Sequence, residues 1–362
     1  MNIQTKTAIG LDAVMAAETA LSHVDGEKGE LIVAGDRIGD LALQASFEAL
    51  TARLWSAASG AVIGEAEVRA QLGEARQRAF RRLSILLAGA RDMPLVAGFR
   101  AAMAALKDEP GLSAQAVIVG ALPVIAAALA RQAKGEEAIT PDPGLPQAAD
   151  LLHMLRGEPA AGVEAAALDA YLVTVADHGM NASTFTARVV ASTRADLFMA
   201  TTAAYCALTG PLHGGAPEPV LEMLDAIGTR GRIAPWIDGA LLRGERLMGF
   251  GHRVYRVRDP RADVLKKAVK LLGSNSRDLG FAAEVEAYAR AALTKAHPGR
   301  PLDTNVEFYT AILLDALGIP RQVFTPVFAA ARSAGWTAHA IEQQRTGRLL
   351  RPASLYIGAM PT

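Results

Sequence analysis

The sequence has one cysteine and few aromatic residues. Cys206 stands alone among 362 residues, and Phe, Trp and Tyr together make up 5% of the chain. A single cysteine excludes an intramolecular disulfide, so we expect a reducing compartment and assign the chain to the cytoplasm. Alanine and leucine are abundant instead, and this composition favours helices over sheets. We therefore predict an all-α protein.

The chain also lacks an excess of charge of either sign. Its 37 Lys and Arg side chains balance 37 Asp and Glu side chains, which gives a formal net charge of zero. Binding to nucleic acid depends on many Lys and Arg contacts to phosphates, so a neutral chain argues against nucleic acid as the main partner. The length is sufficient for two domains and a large buried core.

Long apolar runs are missing as well. The first ten residues, Met1–Gly10, lack the apolar core of a signal peptide. The longest apolar run is Ala116–Ala130, which is interrupted by Pro123. This run is too short to span a bilayer, so we expect a buried helix and no membrane partner.

The first 45 residues are the part of the chain where we expect a small sheet. Leu11–Ser22 is predicted as a short helix. Turn residues follow at Asp25-Gly26 and Lys28-Gly29, and we predict Leu31–Val33 as a strand of a small β-hairpin. Helical patterns cover most of the remaining chain and are broken by glycine and proline.

The most highly charged stretch is residues 248–261. His252 is followed by four arginines within nine residues, and His252–Lys270 contains seven Lys or Arg against two Asp, a local charge of +5. Guanidinium groups bind carboxylates and phosphates through paired hydrogen bonds, so this stretch suits a polyanionic substrate. A solvated basic helix face is the alternative, and the residues alone leave both open. A dinucleotide loop is set aside, because Gly249-x-Gly251 has no third glycine and follows no strand.

Two further histidines lie at a helix end and in a turn. Asp177-His178 ends a helical pattern that Gly179 can stop. His213 lies in a loop rich in glycine and proline, where glycine lets the backbone approach a ligand closely. Histidines in such positions also cap helices or lie on the surface, and the residues alone do not decide between these roles.

Glu307 and Arg332 each have a structural explanation. Thr304-x-x-Glu307 matches a capping box at the start of a helix, and the residues alone favour that role. Arg332 lies beside an apolar stripe of the helix that starts at Thr325-Pro326, where a snorkelling side chain is common.

Taken together, several ordered motifs resemble the citrate synthase family in its shorter bacterial form. The resemblance covers nearly the whole chain. It rests mainly on Gly210-Pro-Leu-His213-Gly-Gly, on Gly249-Phe-Gly-His252-Arg-Val-Tyr with Asp259-Pro-Arg261, and on Asn305-Val-Glu307-Phe-Tyr. Asp177-His178 with Asn181-Ala-Ser-Thr, Phe324-Thr-Pro and Val24-Asp-Gly-Glu27 agree in order and approximate spacing.

The resemblance implies a two-domain helical fold and a homodimer. Residues 1–214 and 319–362 would form the large domain, residues 215–318 the small domain, and the two would close over the site. Members of the family condense oxaloacetate with an acyl-CoA and hydrolyse the thioester. We therefore expect a transferase that forms citrate and CoA from acetyl-CoA. The alternatives are a 2-methylcitrate synthase that uses propionyl-CoA and a catalytically weak paralogue that binds CoA or oxaloacetate.

The resemblance also assigns roles to individual residues. The expected catalytic residues are the base Glu307, the enolate-oxygen donor His213 and the ketone-polarising His252. The expected oxaloacetate ligands are His178, Asn181, Arg261, Arg332 and Arg351, the last of which would reach the site of the partner subunit. The expected CoA ligands are Met248, Gly249, Phe250, Gly251 and Arg256. No metal or cofactor is implied, because acetyl-CoA is a substrate.

Four positions depart from the family's pattern. Glu307 replaces the usual aspartate and moves the carboxylate by about one methylene, and an error in reach of about 1 Å can cost ~100-fold in rate. Pro217, Val175 and Gly179 replace an asparagine, a histidine and an acidic residue, respectively. Every type of catalytic group is still present, but the rate and the acyl-CoA preference stay open.

Overall fold

The computed structural model describes residues 9–11, 14–213, 217–273, 279–300 and 302–361. These residues form sixteen α-helices and one small sheet of the strands β1 (Ser22–Asp25), β2 (Glu30–Val33) and β3 (Asp36–Arg37). The helices are α1 (Ile38–Leu41), α2 (Phe47–Ser59), α3 (Glu65–Arg81), α4 (Leu83–Leu86), α5 (Leu95–Ala104), α6 (Ala114–Gln132), α7 (Gln147–Arg156), α8 (Gly162–Val175), α9 (Ala182–Ser192), α10 (Leu197–Leu208), α11 (Glu218–Ile227), α12 (Ile233–Leu242), α13 (Pro260–Leu271), α14 (Leu279–Ala296), α15 (Val306–Ala316) and α16 (Phe324–Thr346). The predicted all-α class with a small N-terminal hairpin is confirmed.

The N-terminal sheet is the predicted hairpin with a third short strand added. β1 pairs antiparallel with β2, so that Ser22 lies opposite Val33, and β3 pairs with β2. The hairpin turn contacts the basic stretch, because Arg256 donates its backbone N–H to the carbonyl of Gly26 over 2.9 Å. A Cβ atom on Gly26 would lie 2.3 Å from the carbonyl oxygen of Val254, so glycine alone fits this contact.

The helix predicted at Leu11–Ser22 is wrong. Residues 14–19 have no regular secondary structure. Side chains from the helical core bind this part of the chain. Glu342 Oε1 accepts the backbone N–H of Ala20 over 2.9 Å, and Arg188 donates to the carbonyl of Glu18 over 3.3 Å. These tertiary hydrogen bonds replace the ones that a helix would have formed within itself.

α6 is the buried helix predicted from the longest apolar run. It has 19 residues, those from 116 to 130 are all buried, and Pro123 lies inside the helix without ending it. By length and composition alone the helix is long and apolar enough to cross a membrane, but 83% of its most apolar window is buried inside the protein. α3 packs closely on it at Gly120, where a Cβ atom would lie 2.6 Å from the Cβ of Ala75.

α16 is the longest helix of the described residues, and many of the others pack on it. Its 23 residues contact α2, α6, α8, α9 and α10. The close approach of the chain at the end of α8 depends on Gly335, where a Cβ atom would lie 2.4 Å from the carbonyl oxygen of Ala176. α8 also packs against α13 and α15. The candidate site is positioned by four helices and the loops at their ends. These helices are α8, α13, α15 and α16.

α11 to α15 belong to the part of the chain that is predicted as the small domain. α12 packs against α14, and α15 packs against α11 and α13. α13 and α15 also contact α8, so the candidate site lies where this group of helices meets the rest of the chain. The division into residues 1–214 with 319–362 and residues 215–318 stays a prediction, and its first boundary falls outside the described residues.

Candidate active site

His178 lies in the turn that follows α8. Asp177 accepts the backbone N–H of Gly179 over 3.2 Å, and Gly179 has a φ of 57°, so the chain turns directly after the histidine. A Cβ atom at this glycine would lie 3.1 Å from Cγ2 of Val24, and the positive φ also favours glycine over the acidic residue that the family resemblance implies there. The imidazole is buried, and its Nε2 lies 3.1 Å from the hydroxyl oxygen of Tyr255.

His252 is oriented by the backbone that follows it. Its Nδ1 accepts the backbone N–H groups of Val254 and Tyr255 over 3.0 and 3.1 Å. An accepting Nδ1 leaves the proton of the neutral imidazole on Nε2, so Nε2–H is a hydrogen-bond donor. Burial and the nearby Arg261 guanidinium lower the pKa of His252 to about 4, so the ring is neutral at pH 7. Its ring centre lies 5.6 Å from that of His178.

His213 is oriented by the first turn of α9. Its Nε2 accepts the backbone N–H of Ser183 over 3.1 Å, and the Ser183 hydroxyl oxygen lies 2.9 Å from the same nitrogen. The proton of the neutral ring is therefore on Nδ1. Burial and the Arg332 guanidinium lower the pKa of His213 to about 4. Gly214 and Gly215, which complete the predicted motif, lie outside the described residues.

Asn181 is the N-cap of α9 and connects the supports of two histidines. Its Oδ1 accepts the hydroxyl of Ser183 over 2.7 Å, and its Nδ2 donates to the carbonyl of Gly179 over 3.3 Å. The turn that carries His178 and the serine that orients His213 are thereby joined. The expected contact of Asn181 with oxaloacetate stays a prediction.

Glu307 lies in the first turn of α15, and no described side chain or backbone N–H donates to its carboxylate. The predicted capping box is not formed: Asn305 is the N-cap and accepts the backbone N–H of Glu307 over 3.0 Å, while the Thr304 hydroxyl donates to Glu286. Burial raises the pKa of Glu307 to about 7 against the opposing effect of the Arg261 guanidinium. A carboxylate with this pKa and no fixed partner is suited to act as a base near neutral pH.

Two buried arginines supply positive charge to the site. Arg261 is fixed by Asp259, which accepts its Nε over 3.0 Å and its Nη2 over 2.8 Å and also caps α13. Arg332 is 2% exposed, and its Nε donates to the carbonyl of Val175. Among the described residues no carboxylate forms an ion pair with Arg332, and burial lowers its pKa to about 10. A buried guanidinium without such a pair is costly, so Arg332 is suited to bind an anionic ligand and does not snorkel.

The predicted CoA loop lies against the start of α15. Phe250 and Thr304 form an isolated antiparallel bridge, and Asn305 donates its backbone N–H to the carbonyl of Gly249 over 2.9 Å. Gly249 has a φ of 84°, and a Cβ atom there would lie 2.9 Å from the Cβ of Phe308. Glycine is therefore needed both for this backbone conformation and for the close approach. The predicted CoA loop is therefore joined by backbone contacts to the residues directly before the predicted base, Glu307.

Two of the predicted ligands, Arg256 and Arg351, lie on the surface. Arg256 is exposed near the hairpin turn, with its Nε 4.0 Å from a carboxylate oxygen of Glu27. Arg351 is exposed in a C-terminal segment, residues 347–361, that has no regular secondary structure. Within its own chain no hydrogen bond or ion pair connects Arg351 to another described residue. The roles of both arginines stay predictions.

Glu286 is a buried carboxylate that sequence reasoning missed and that binds residues on both sides of Glu307 in the sequence. It is 3% exposed on α14 and accepts hydrogen bonds from Arg258, Lys266 and Thr304 over 2.8 Å each, and from Tyr309. Burial raises the pKa of Glu286, but these hydrogen bonds outweigh it, and the pKa falls to about 2. Thr304 and Tyr309 lie on either side of the predicted base. The four partners are 18 to 28 positions away along the chain, so no local pattern reveals the contact.

Three further residues bind predicted site residues or the helices that carry them, although the sequence assigned them no role. They are Asp259, Ser183 and Tyr255. Asp259 accepts the backbone N–H of Val306 over 3.2 Å and so joins α13 to α15. An acidic residue directly before a proline is a helix-start pattern, and this signal could have identified the cap. The contacts of Ser183 and Tyr255 with the histidines depend on tertiary structure.

The combined electrostatics define a class of enzyme. Burial and nearby guanidiniums lower the pKa of three imidazoles, those of His178, His213 and His252, and keep them neutral. Two of these rings have an assigned N–H donor, which is Nδ1–H in His213 and Nε2–H in His252. The Glu307 carboxylate, with a pKa of about 7, interacts with the two buried arginines. Such a set suits an acid–base enzyme that removes a proton beside a carbonyl group and binds a small polyanion.

Comparison with known proteins identifies the family. The family model for the citrate synthase C-terminal domain matches residues 10–353. The citrate synthase of Haloferax volcanii is 38% identical over an alignment 370 positions long, which covers 96% of this chain and 95% of the relative. The ternary complex of carboxymethyl coenzyme A and oxaloacetate with citrate synthase from Thermoplasma acidophilum has a TM-score of 0.87 at 29% identity, covering 99% of this chain and 97% of the other. Citrate synthase from Thermotoga maritima has a TM-score of 0.83 at 31% identity, covering 98% and 96%. The chain belongs to the citrate synthase family.

Proposed function

We propose that this protein condenses acetyl-CoA with oxaloacetate and hydrolyses the thioester to release citrate and CoA. The observation that carries the proposal is the Glu307 carboxylate, whose pKa is raised to about 7, in a site with two neutral imidazole donors. The relative from Thermoplasma acidophilum, whose structure holds carboxymethyl coenzyme A and oxaloacetate, supports the same pair of substrates for this chain.

Glu307 removes a proton from the methyl carbon of acetyl-CoA. A carbon next to a thioester is a weak acid, so its deprotonation needs a base and a donor to the oxygen on which charge develops. The Nδ1–H of His213 is that donor. Because the pKa of His213 is lowered to about 4, the ring is neutral at pH 7 and acts as an uncharged hydrogen-bond donor.

Oxaloacetate is bound by His178, His252 and the two buried arginines. The Nε2–H of His252 donates to the ketone oxygen, so the enolate carbon attacks a polarised carbonyl group. Arg261 and Arg332 bind the two carboxylates, and Asp259 holds the first of these guanidiniums in place.

The loop of residues 248–251 and Arg256 bind CoA in this proposal. Residues 215–318 close over oxaloacetate and exclude water until the enolate has formed. This mechanism requires no metal or cofactor, because the imidazole and guanidinium groups can donate to each substrate oxygen that gains charge. We further propose that the enzyme is cytoplasmic and acts on small molecules rather than on nucleic acid or a membrane.

We infer a homodimer in which Arg351 enters the site of a second copy. The exposed C-terminal segment carries large apolar side chains, with Leu355 69%, Tyr356 67% and Ile357 91% exposed, and a contiguous set of this kind favours a partner surface. A cavity of about 420 Å³ borders the site and is lined by parts of the segment 14–24, by the turn that carries His178 and by Val254. The C-terminal segment of the second copy occupies this cavity.

Thiol release from acetyl-CoA and from propionyl-CoA, each with and without oxaloacetate, tests the proposed reaction. Oxaloacetate-dependent release with the higher kcat/KM for acetyl-CoA supports it. A higher kcat/KM for propionyl-CoA would identify a 2-methylcitrate synthase, since one methylene in an apolar pocket changes transition-state binding by only ~1–3 kcal/mol. A folded protein that binds CoA or oxaloacetate without thiol release would be the catalytically weak paralogue.

A further inference from the structure

We propose that Tyr171 donates a hydrogen bond from its hydroxyl group to the Glu307 carboxylate when the substrates are bound, and that this contact positions the base. Tyr171 is then a positioning residue, because it acts on the substrate only through Glu307. The inference deepens the proposed function and rests on it for the identity of the base. Neither the sequence motifs nor the comparisons assign a role to this tyrosine.

Tyr171 lies on the helix that meets all the charged elements of the site. It is part of α8, one helical turn before Val175, whose carbonyl accepts the Arg332 Nε–H. α8 packs against α13, α15 and α16, which carry Arg261, Glu307 and Arg332, respectively. The helix that carries Tyr171 therefore packs against each of the elements that carry these three charged residues.

The hydroxyl of Tyr171 is buried and has no hydrogen-bond partner among the described residues. The side chain is 0% exposed, and its oxygen is left unpaired. The other buried tyrosines are paired: Tyr205 donates to the carbonyl of Val96 over 3.1 Å, Tyr309 donates to Glu286, and Tyr255 contacts His178. Buried polar groups without a partner are rare and indicate a missing ligand or a partner that arrives in another state.

Glu307 is the matching acceptor. Its carboxylate accepts no hydrogen bond from the described residues, and its negative charge is the largest influence after burial that raises the pKa of Tyr171. The Arg332 guanidinium acts on both groups. Because the phenol stays protonated, it can only donate to the carboxylate, and a carboxylate accepts readily.

The length of the Glu307 side chain explains why a second contact is needed. Glutamate has one more rotatable bond than aspartate, so its carboxylate samples more positions around the methyl group of acetyl-CoA. A donor fixed on α8 selects one of them. In the reaction, the methyl C–H bond breaks, its electron pair forms the enolate, and the proton goes to one oxygen of Glu307. Tyr171 donates to the other oxygen and transfers no proton.

The Tyr171→Phe variant tests this contact, with Tyr205→Phe as the matched control. Both changes remove one buried hydroxyl, but Tyr205 lies on α10 and its hydroxyl is already paired with Val96. We expect Tyr171→Phe to lower kcat for thiol release and for exchange of the acetyl-CoA methyl protons by ~10–100-fold, with the KM for oxaloacetate unchanged. The melting temperature should stay the same or rise, because an unpaired hydroxyl is removed. Tyr205→Phe should lower the melting temperature and leave the kinetics unchanged.

A measurement that does not depend on turnover separates this proposal from the proposed function. The pKa of Glu307 can be followed by 13C NMR of labelled glutamate in the presence of oxaloacetate and a CoA analogue, with Glu307→Gln to assign the signal. The charged groups that act on Glu307 are Arg261, Asp259 and Arg332, which both tyrosine variants retain. Loss of the donor in Tyr171→Phe should raise the pKa of Glu307. An unchanged pKa together with wild-type kinetics would overturn the contact, even in a protein that releases citrate as proposed.

Discussion

The backbone N–H of Ser183 donates to Nε2 of His213 over 3.1 Å, and this contact determines which edge of the imidazole carries the proton. With Nε2 accepting, the neutral ring has its hydrogen on Nδ1. His252 has the opposite arrangement, because its Nδ1 accepts two backbone N–H groups and its hydrogen is on Nε2. The backbone N–H groups that these two histidines accept therefore leave the proton on different ring nitrogens, Nδ1 in His213 and Nε2 in His252.

Substitution of His213 by Asn and by Gln should distinguish the two edges of its ring. The amide nitrogen of Asn lies near the position of Nδ1, and that of Gln lies near the position of Nε2. Loss of one donor to a developing oxyanion costs ~10²–10³ in kcat. We expect both variants to lose activity, with His213→Asn retaining at least ~10-fold more exchange of the acetyl-CoA methyl protons than His213→Gln. The reverse order would show that Nε2 is the donating edge.

Glu307 should make both activity and stability depend on pH near 7. Its pKa is raised from an ordinary value of 4.5 to about 7, so the base is ionised, and kcat/KM rises, as the pH increases through about 7. The stability has the opposite sign. The folded state binds this proton more tightly than the unfolded state, so the contribution is complete below pH 4.5 and is lost as the pH rises through 7.

Glu307→Gln should therefore abolish thiol release and raise the free energy of unfolding at pH 8 by on the order of 2 kcal/mol. Chemical denaturation between pH 4 and 8 measures the second effect. Asp169→Asn is the control: burial and the nearby Glu48 raise the pKa of Asp169 to about 7 as well, but Asp169 contacts the N-terminus of α2. This control should show the same stabilisation and an unchanged pH profile of activity. Substantial turnover of Glu307→Gln would remove Glu307 as the base.

The residues that are predicted to perform the chemistry were easier to identify from the sequence than the residues that hold them. His213, His252 and Glu307 lie in motifs of glycine, proline and helix caps, which local patterns describe. The capping box of Thr304 and Glu307 was wrong because the Thr304 hydroxyl binds Glu286, 18 positions earlier on α14. Tertiary hydrogen bonds of this kind are set by the packing of helices, and sequence spacing does not encode them.

The same limit explains two other differences. The helix predicted at Leu11–Ser22 was wrong because Glu342, on α16, binds the backbone of Ala20 over 2.9 Å. Arg332 looked like a snorkelling side chain, since its neighbours on one helix face are apolar, but α8 packs against α16, Val175 accepts the Arg332 Nε–H, and Arg332 is only 2% exposed. The surface that packs against a helix comes from another part of the chain, and only the structure identifies it.

Glu286→Gln should reduce catalysis because Glu286 holds Thr304 and Tyr309 on both sides of Glu307. The amide keeps the size of the side chain but offers one acceptor oxygen to four donors. We expect kcat to fall by ~10–100-fold, since a displacement of about 1 Å of the base has this effect, while the KM for oxaloacetate changes little. Glu284→Gln is the matched control on the same helix.

Glu284 pairs with Arg230 over 2.8 Å, and both side chains are about half exposed, so its loss should alter neither kinetics nor melting temperature appreciably. For Glu286→Gln we expect a lower melting temperature as well, because a buried charge-assisted network is broken. A variant with that lower melting temperature but full kcat would show that Glu286 stabilises the fold without positioning Glu307.

Arg256→Ala should raise the KM for acetyl-CoA much more than the KM for oxaloacetate. Arg256 is exposed beside the predicted CoA loop, and in the part of the chain that the structure describes no carboxylate lies closer to it than the 4.0 Å of Glu27, so its guanidinium is available to a phosphate. The wild-type KM for acetyl-CoA should also rise with salt, because exposed ion pairs are screened. Arg243→Ala, which removes an exposed arginine paired with Glu245, should leave both constants unchanged. Equal increases for both substrates would indicate a folding defect in place of a phosphate contact.

Arg351 has two opposed explanations that a complementation experiment can separate. It is exposed on the C-terminal segment of its own chain and has no partner among the described residues. It is thus either a solvated surface arginine or a ligand for the site of a second copy, which would make the active unit a two-fold dimer with two shared sites. His252 provides the complementary marker, because its contacts lie within its own chain.

Arg351→Ala and His252→Ala should each be inactive as homodimers, whereas their heterodimer should regain one intact site. In the heterodimer, one site combines the His252 of one chain with the Arg351 of the other, and the second site carries both defects. Co-expression with two different tags and sequential purification isolates this species, and we expect about half of the wild-type thiol release per dimer if sites act independently. If Arg351 acts within its own chain, each site keeps one defect and the heterodimer stays inactive. Wild-type activity of the Arg351→Ala homodimer would show instead that the arginine is a solvated surface residue.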